Sequence, residues 1–380
     1  MEFTYSREQQ MVKKMLREFA EKEIAPIAGE IDEKAIYPYE TIGKLAKLGL
    51  MGMPFPAEYG GAGTDYMTYI MAIEEISKTD ASHGVIIQTH NALCCWPIYT
   101  YGTEEQKRKY LPDLLSGKKL GAFGLTEPNA GTDAAGTQTK AVLDGDEWVL
   151  NGSKIFISGG GIAEVYIIMA MTDKSKGTKG ISAFIVEKGD KGFSAPKHEN
   201  KMGIRGSIAA ELVFEDCRIP KDRLLSQEGK GFKVAMSSLD VGRLGIAAQA
   251  LGIAQGAFDE TVKYMKQRKQ FGKTLDKFQA LSFEMASMKV KIDGARYLLY
   301  DACNRRDLGL PATVAAAEAK LACSEAASYV TNKAVQFHGG YGYIKDYPVE
   351  RMYRDAKITE IYEGTSEVMK MVISGAMKVK

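Results

Sequence analysis

Histidine and tryptophan are scarce in this chain, four and two in 380 residues. His83, His90, His198 and His338 form no His-Glu-x-x-His and share no clustered Cys/His spacing, so a bound catalytic metal is not expected. There are five cysteines, an odd number, and no Cys-x-x-Cys; Cys94, Cys95, Cys217, Cys303 and Cys323 read as reduced and mostly buried. An excess of one charge is missing too. Fifty Lys and Arg against 48 Asp and Glu leave +2, which gives no electrostatic case for nucleic acid or an acidic membrane surface. No apolar run approaches the ~20 residues needed to cross a bilayer. The start, Met1-Glu-Phe-Thr-Tyr-Ser-Arg-Glu, lacks the basic-then-apolar order of a signal peptide, so a cytoplasmic location is expected. Gly-x-Gly-x-x-Gly, Gly-x-x-x-x-Gly-Lys and Gly-x-Ser-x-Gly are all absent. That disfavours a Rossmann dinucleotide site, a phosphate loop and a nucleophile elbow.

What is present is an ordinary globular composition, 45 % hydrophobic and 26 % charged, with length enough for two or three domains. Three textures follow one another, and the expected fold is multi-domain α+β. Residues 1–120 read as an all-α domain, with a helix over Arg7–Ile27 closed by Pro26 and others over 39–50, 66–78 and 84–101. Thr103 with Gln106 fits a capping box. Residues 121–229 carry short runs between Gly and Asp turns, at 121–125, 139–143, 147–151, 165–171, 181–187 and 211–217. They read as a central antiparallel β domain, with Asp144-Gly-Asp as a hairpin signal. Residues 230–380 read as a four-helix bundle, with helices near 233–268, 276–306, 312–337 and 348–375.

A few stretches carry the chemistry. Ile361-Tyr-Glu-Gly-Thr-Ser-Glu367 puts Glu363 directly before Gly364 where a helical run breaks, a placement that suits proton abstraction from a substrate lying against backbone. Gly124-Leu-Thr-Glu-Pro-Asn-Ala-Gly-Thr-Asp133 offers two hydroxyls and loop N–H donors; by composition it reads first as a turn leaving a strand, second as a ligand loop. In Lys154-Ile-Phe-Ile-Ser-Gly-Gly-Gly161, Phe156 reads first as a core residue and second as a ring stacked on a flat cofactor. Arg268-Lys-Gln-Phe-Gly272 and Gln336-Phe-His-Gly-Gly-Tyr-Gly342 each read either as a helix stop or as a ligand contact.

Taken together and in this order, these segments resemble the acyl-CoA dehydrogenase family over essentially the whole chain. Among its subgroups the chain is most similar to the short-chain (butyryl-CoA) dehydrogenases of anaerobic bacteria. The resemblance implies a homotetramer, a dimer of dimers, holding FAD between the β domain and the bundle. It implies flavin contacts from Phe123, Leu125, Thr126, Thr132, Phe156, Ile157 and Ser158. Arg268, Gln270, Phe271, Gln336, Gly339 and Gly340 would reach the FAD of a partner subunit, and Thr365 and Glu367 the nucleotide. Asp240, Arg243 and Tyr362 would lie near the acyl-CoA, although Asp240 and Arg243 also read as a plain i,i+3 ion pair. Glu363, with Gly364 beside it, would take the α-proton of the thioester, hydride would pass to flavin N5, and electrons would go to an electron-transferring flavoprotein. Ser158 stands where threonine is commoner, and the glycines after it replace a frequent asparagine. Ser82–Trp96 holds no Arg or Lys, which disfavours a glutaryl-type substrate, and Glu363 disfavours the isovaleryl type. Operation as an enoyl-CoA reductase, aryl-acrylyl-CoA included, an acyl-CoA oxidase, and a non-catalytic acyl-CoA-binding protein are the alternatives.

Overall fold

A computed structural model describes residues 5–379; Met1–Thr4, part of the segment read above for a leader, lie outside them. The N-terminal helices are α1 (Arg7–Phe19), α2 (Ala25–Lys34), α3 (Tyr39–Lys47), α4 (Tyr66–Ser77), α5 (Ala81–Thr89), α6 (Trp96–Tyr101) and α7 (Glu104–Leu115). Local chemistry sets their starts. Ser6 with Gln9 and Thr103 with Gln106 close capping boxes on α1 and α7, and Asp65 and Asp80 cap α4 and α5. Pro26 does not close the first helix as expected. A wide π-type turn at Ala20–Ile24 leads into α2, and proline sits in the first turn of α2, where its missing N–H costs nothing.

The middle of the chain forms β1 (Gly121–Gly124), β2 (Lys140–Asp144), β3 (Glu147–Ser158), β4 (Val165–Met171), β5 (Ile181–Glu187), β6 (Phe193–His198), β7 (Ala209–Pro220) and β8 (Leu224–Leu225). They make one sheet in the order β6-β7-β3-β2-β4-β5-β8, with β1 added on β4. Two departures from the sequence reading appear. The sheet is not wholly antiparallel, because β1 runs parallel to β4 and β2 meets β4 in one parallel pair. Strands β6 and β8 were not foreseen, the first because its residues are mostly exposed and include Pro196. Strands β4 and β5 are continuously buried and mostly apolar, with Ser182 the one polar residue inside β5, because both faces are covered. Val165, Ile167 and Met169 join the core shared with the helices, while Tyr166, Ile168 and Ala170 join a second core with Trp148 and Phe214.

Helices α8 (Gly231–Gln267), α9 (Gln279–Asp307), α10 (Thr313–His338), α11 (Val349–Ile358) and α12 (Ser366–Ala376) complete the fold. The fourth helix expected over 348–375 is therefore two helices, with 359–365 a break between them. The small residues of α8 have a packing reason. A Cβ on Gly252 would lie 2.4 Å from the Glu74 carbonyl, and one on Gly256 2.2 Å from that of Lys78, so α4 passes α8 at backbone range.

Candidate active site

The break between α11 and α12 turns Glu363 into the protein. Its φ is +52° and that of Gly364 is +103°, so the chain reverses through two left-handed residues, the first of them strained for a residue with a side chain. Three helices hold it there. From α5, Gln88 Nε2 donates to Glu363 Oε1 at 3.0 Å and to the Gly242 carbonyl at 3.0 Å. From α8, Arg243 Nε donates to the Glu363 carbonyl at 3.4 Å while Nη1 pairs with Asp240 at 2.7 Å. From α10, Lys320 Nζ donates to the Gly364 carbonyl at 2.7 Å. Tyr362 donates its hydroxyl to Gln249, which in turn donates to the Ala81 carbonyl at 2.9 Å.

The result is a carboxylate with one oxygen anchored and one free: Oε2 is buried and has no hydrogen-bond partner among the described residues. Burial pushes the Glu363 carboxyl up to about 7, against the lowering pull of the Gln88 hydrogen bond and the charges of Lys320 and Arg243. A pKa near 7 suits a general base working near neutrality. Nor does any carbonyl or side chain among the described residues accept from the Glu363 N–H, which leaves it free to receive a developing oxyanion. Lys320, fully buried, is lowered to about 8 by desolvation.

Glu363 lies on the wall of a cavity of about 680 Å³. The sheet supplies Phe123, Leu125 and Thr126 from the end of β1, Thr132 from the following loop, and Phe156, Ile157 and Ser158 from β3. The helical side supplies Arg243, Tyr362, Gly364 and Thr365 together with Leu93, Met236 and Leu239. The first reading of Phe156 as core is overturned. It sits at a register shift between β3 and β7 with φ +62°, and it is 63 % exposed. The shift inserts an extra residue and re-aims the side chain, as bulges do. The loop after β1 is more than a turn as well. Lys154, fully buried, donates to the Leu125 carbonyl at 3.1 Å and pairs with Glu127 at 2.7 Å, while Glu127 accepts from the backbone of Gln138 and Thr139. This clamp fixes the backbone on which the Thr126 hydroxyl is carried. An aromatic face left open on a covered sheet, hydroxyls beside it and a rigid loop fit a flat, polar heterocycle such as the FAD ring system.

Other expected residues are placed differently. Asp240 and Glu367 do not line this cavity; Asp240 is committed to Arg243 and accepts from Thr313 at 2.9 Å. The Thr365 hydroxyl caps α12 by accepting from the Val368 N–H. Arg268, Gln270, Gln336, Gly339 and Gly340 line a second, smaller and more open cavity of about 440 Å³, where the Arg268 guanidinium lies 5.3 Å from the Tyr341 ring centre. Phe271, 93 % exposed at φ +50°, touches neither cavity lining. Sequence reasoning missed Gln88, Lys320, and the Lys154–Glu127 pair. The available signal was a polar residue inside an apolar helical run: Gln88 follows Val85-Ile-Ile, and Lys320 follows an alanine-rich turn.

Comparison with known proteins agrees over the length of the chain. Family models described as acyl-CoA dehydrogenase N-terminal, middle and C-terminal domains match residues 6–118, 122–217 and 229–378. A short-chain specific acyl-CoA dehydrogenase of Clostridium acetobutylicum is 60 % identical, covering 99 % of each chain. An acryloyl-CoA reductase (NADH) of Anaerotignum propionicum is 53 % identical over 98 % of this chain and 95 % of that protein. Among solved structures, butyryl-CoA dehydrogenase from Megasphaera elsdenii superposes with a TM-score of 0.98 at 52 % identity, covering 100 % of both chains. A chain from work on the electron transferring flavoprotein of Acidaminococcus fermentans and flavin-based electron bifurcation superposes with a TM-score of 0.98 at 55 % identity, covering 99 % of both.

Proposed function

The chain belongs to the acyl-CoA dehydrogenase family, and we propose that it interconverts a short-chain acyl-CoA and its trans-2-enoyl-CoA with Glu363 as the base. The observation that carries this is the Glu363 carboxylate itself, anchored through Oε1, unpartnered at Oε2, and set on the wall of the large cavity. A thioester whose α-carbon lies against Oε2 gives up its α-proton there, and the β-hydrogen leaves with its electron pair. Charge gathers on the thioester oxygen as this happens, and the free Glu363 N–H is the donor this chain offers for it. The apolar walls from Leu93, Met236 and Leu239 exclude water, which keeps the carboxylate basic. Phe123–Thr126 and Phe156–Ser158 would hold FAD, which would supply the hydride acceptor, with an electron-transferring flavoprotein as the electron partner.

The butyryl and acryloyl names of the relatives support a short acyl chain, and the lack of Arg or Lys across 82–96 supports one without a distal carboxylate. Work mainly in the reductase direction is the second reading, supported by the acryloyl-CoA reductase relative. The same residues serve both directions, because a base that takes the α-proton returns it in reverse. Division into domains 1–120, 121–229 and 230–380, and assembly as a dimer of dimers, belong to the same proposal. The open second cavity supports assembly, since a partner subunit's nucleotide would complete it. A cytoplasmic setting is supported by five free, buried cysteines. The test is anaerobic bleaching of the flavin absorption by a panel from butyryl-CoA to lauroyl-CoA, with isobutyryl-, glutaryl- and phenylpropionyl-CoA. Strongest bleaching by butyryl-CoA is expected; strongest bleaching by glutaryl- or lauroyl-CoA would overturn the short-chain assignment.

A further inference from the structure

We propose that Gln88 is a positioning residue for the base, which fixes Glu363 Oε1 so that Oε2 alone is left to take the substrate proton. The inference rests on the reading of Glu363 as the base. Gln88 is fully buried, and its amide nitrogen faces two acceptors, the Gly242 carbonyl and Glu363 Oε1, both at 3.0 Å. A main-chain carbonyl can only accept, so this orientation of the amide is set by chemistry. The cost is visible on its other side: Gln88 Oε1 is buried without a partner among the described residues. A side chain kept for packing alone would be apolar here, since an unpaired buried carbonyl is unfavourable.

Helix α8 is shaped around the pair. A Cβ on Gly242 would fall 2.0 Å from Glu363 Oε2, and one on Gly245, one turn on, 2.2 Å from Gln88 Cγ. Two glycines on one helix face thus make room for the carboxylate and for the amide that holds it. The other groups facing Glu363 do not take this role. Arg243 from α8 and Lys320 from α10 bind the main-chain carbonyls of Glu363 and Gly364, and the hydroxyls of Tyr66 and Tyr362 go to the Val241 carbonyl and to Gln249. Tyr69 from α4 makes no hydrogen bond to the carboxylate either. Among the described residues Gln88 is the one side chain that hydrogen-bonds the carboxylate. Its N–H stabilises the charged form, so its loss raises the Glu363 pKa and moves the onset of activity to higher pH.

The experiment follows single-turnover anaerobic flavin reduction by butyryl-CoA against pH in the FAD-loaded holoenzyme and in Gln88→Met. The reduction rate should fall about tenfold, the worth of one hydrogen bond to a charged group. The concentration of butyryl-CoA for half-maximal rate should change little, and the acidic limb should move to higher pH, so that raising the pH recovers part of the loss. A merely structural role would lower FAD content and leave the limb in place. An unmoved limb in loaded Gln88→Met therefore overturns the inference. Should Gln88→Met not hold FAD, Gln88→Glu keeps the shape and adds a second carboxyl; its limb should also rise, and an unmoved limb there is equally fatal. Glu363→Gln separates the two levels. If that variant turns over, the base assignment itself fails; if it is inert while the Gln88 variants keep the native limb, only the role of Gln88 fails.

Discussion

The two cavities differ in what encloses them. The one at Glu363 is walled on the sheet side by β1 and β3 and on the helical side by α8 and the break before α12, all from one chain. The one at Arg268 and Gln336 is more open, lined by those two side chains with Gln270, Gly339 and Gly340, and bordered by the exposed ring of Tyr341. The first has what bond-breaking needs: exclusion of water, a carboxylate with a raised pKa, and one free oxygen. The second has what recognition needs: the Arg268 guanidinium, the amides of Gln270 and Gln336, and the bare backbone of Gly339 and Gly340. Chemistry is thus built within one chain, while the second surface would, on the assembly proposed above, offer its donors to a partner's nucleotide.

Substitutions at the two places should separate accordingly. The largest effect belongs to Glu363→Gln: FAD and acyl-CoA binding kept, turnover lower by about 10²- to 10⁴-fold, the range of a lost general base, as steady-state rates would show. Next is Lys154→Met. It strands Glu127 as a buried, uncompensated charge behind the flavin-side loop and should destabilise the fold by about 3–5 kcal/mol in denaturant melts. Smaller is a pH effect on stability. The Glu363 carboxyl titrates near 4.5 when unfolded and at about 7 when folded, so the folded state holds the proton more tightly. Native stability contributed by this group is therefore intact below 4.5 and is lost as pH rises through 7. Glu363→Gln should accordingly melt higher than the native protein at pH 8 by about 1–3 kcal/mol, with the gain vanishing near pH 4.5. The smallest effect is at the second cavity. Arg268→Ala should make FAD retention weaker by about fivefold and dependent on protein concentration, while the single-turnover rate of loaded protein stays native. A change in that rate would break the division between the two cavities.

Much of this was legible in the sequence, and the unread parts have physical reasons. The order of helices, strands and helices follows from period and punctuation: β4 and β5 stand out as apolar runs between turns, and α7 announces itself by Thr103 and Gln106. Glu363 was visible because glycine follows it where helical spacing stops. The left-handed turn that aims it was not, since φ +52° on a glutamate is imposed by the packing of α8 and α10 around it. Phe156 was misread on residue type because a bulge, set by register against β7, decides which way it points. Gln88 and Lys320 stayed hidden for another reason. Each follows a short apolar or alanine-rich stretch with nothing local to mark it, and its partner is far along the chain, 275 residues away for Gln88 and Glu363 and 44 for Lys320 and Gly364.

The central claim is that one carboxylate in the enclosed cavity moves the α-proton. Anaerobic mixing of FAD-loaded native protein and Glu363→Gln with butyryl-CoA tests it most directly. Rapid bleaching in the native protein, with a variant that perturbs the flavin spectrum on binding butyryl-CoA yet stays oxidised, is the predicted result. Bleaching of Glu363→Gln at the native rate would contradict it.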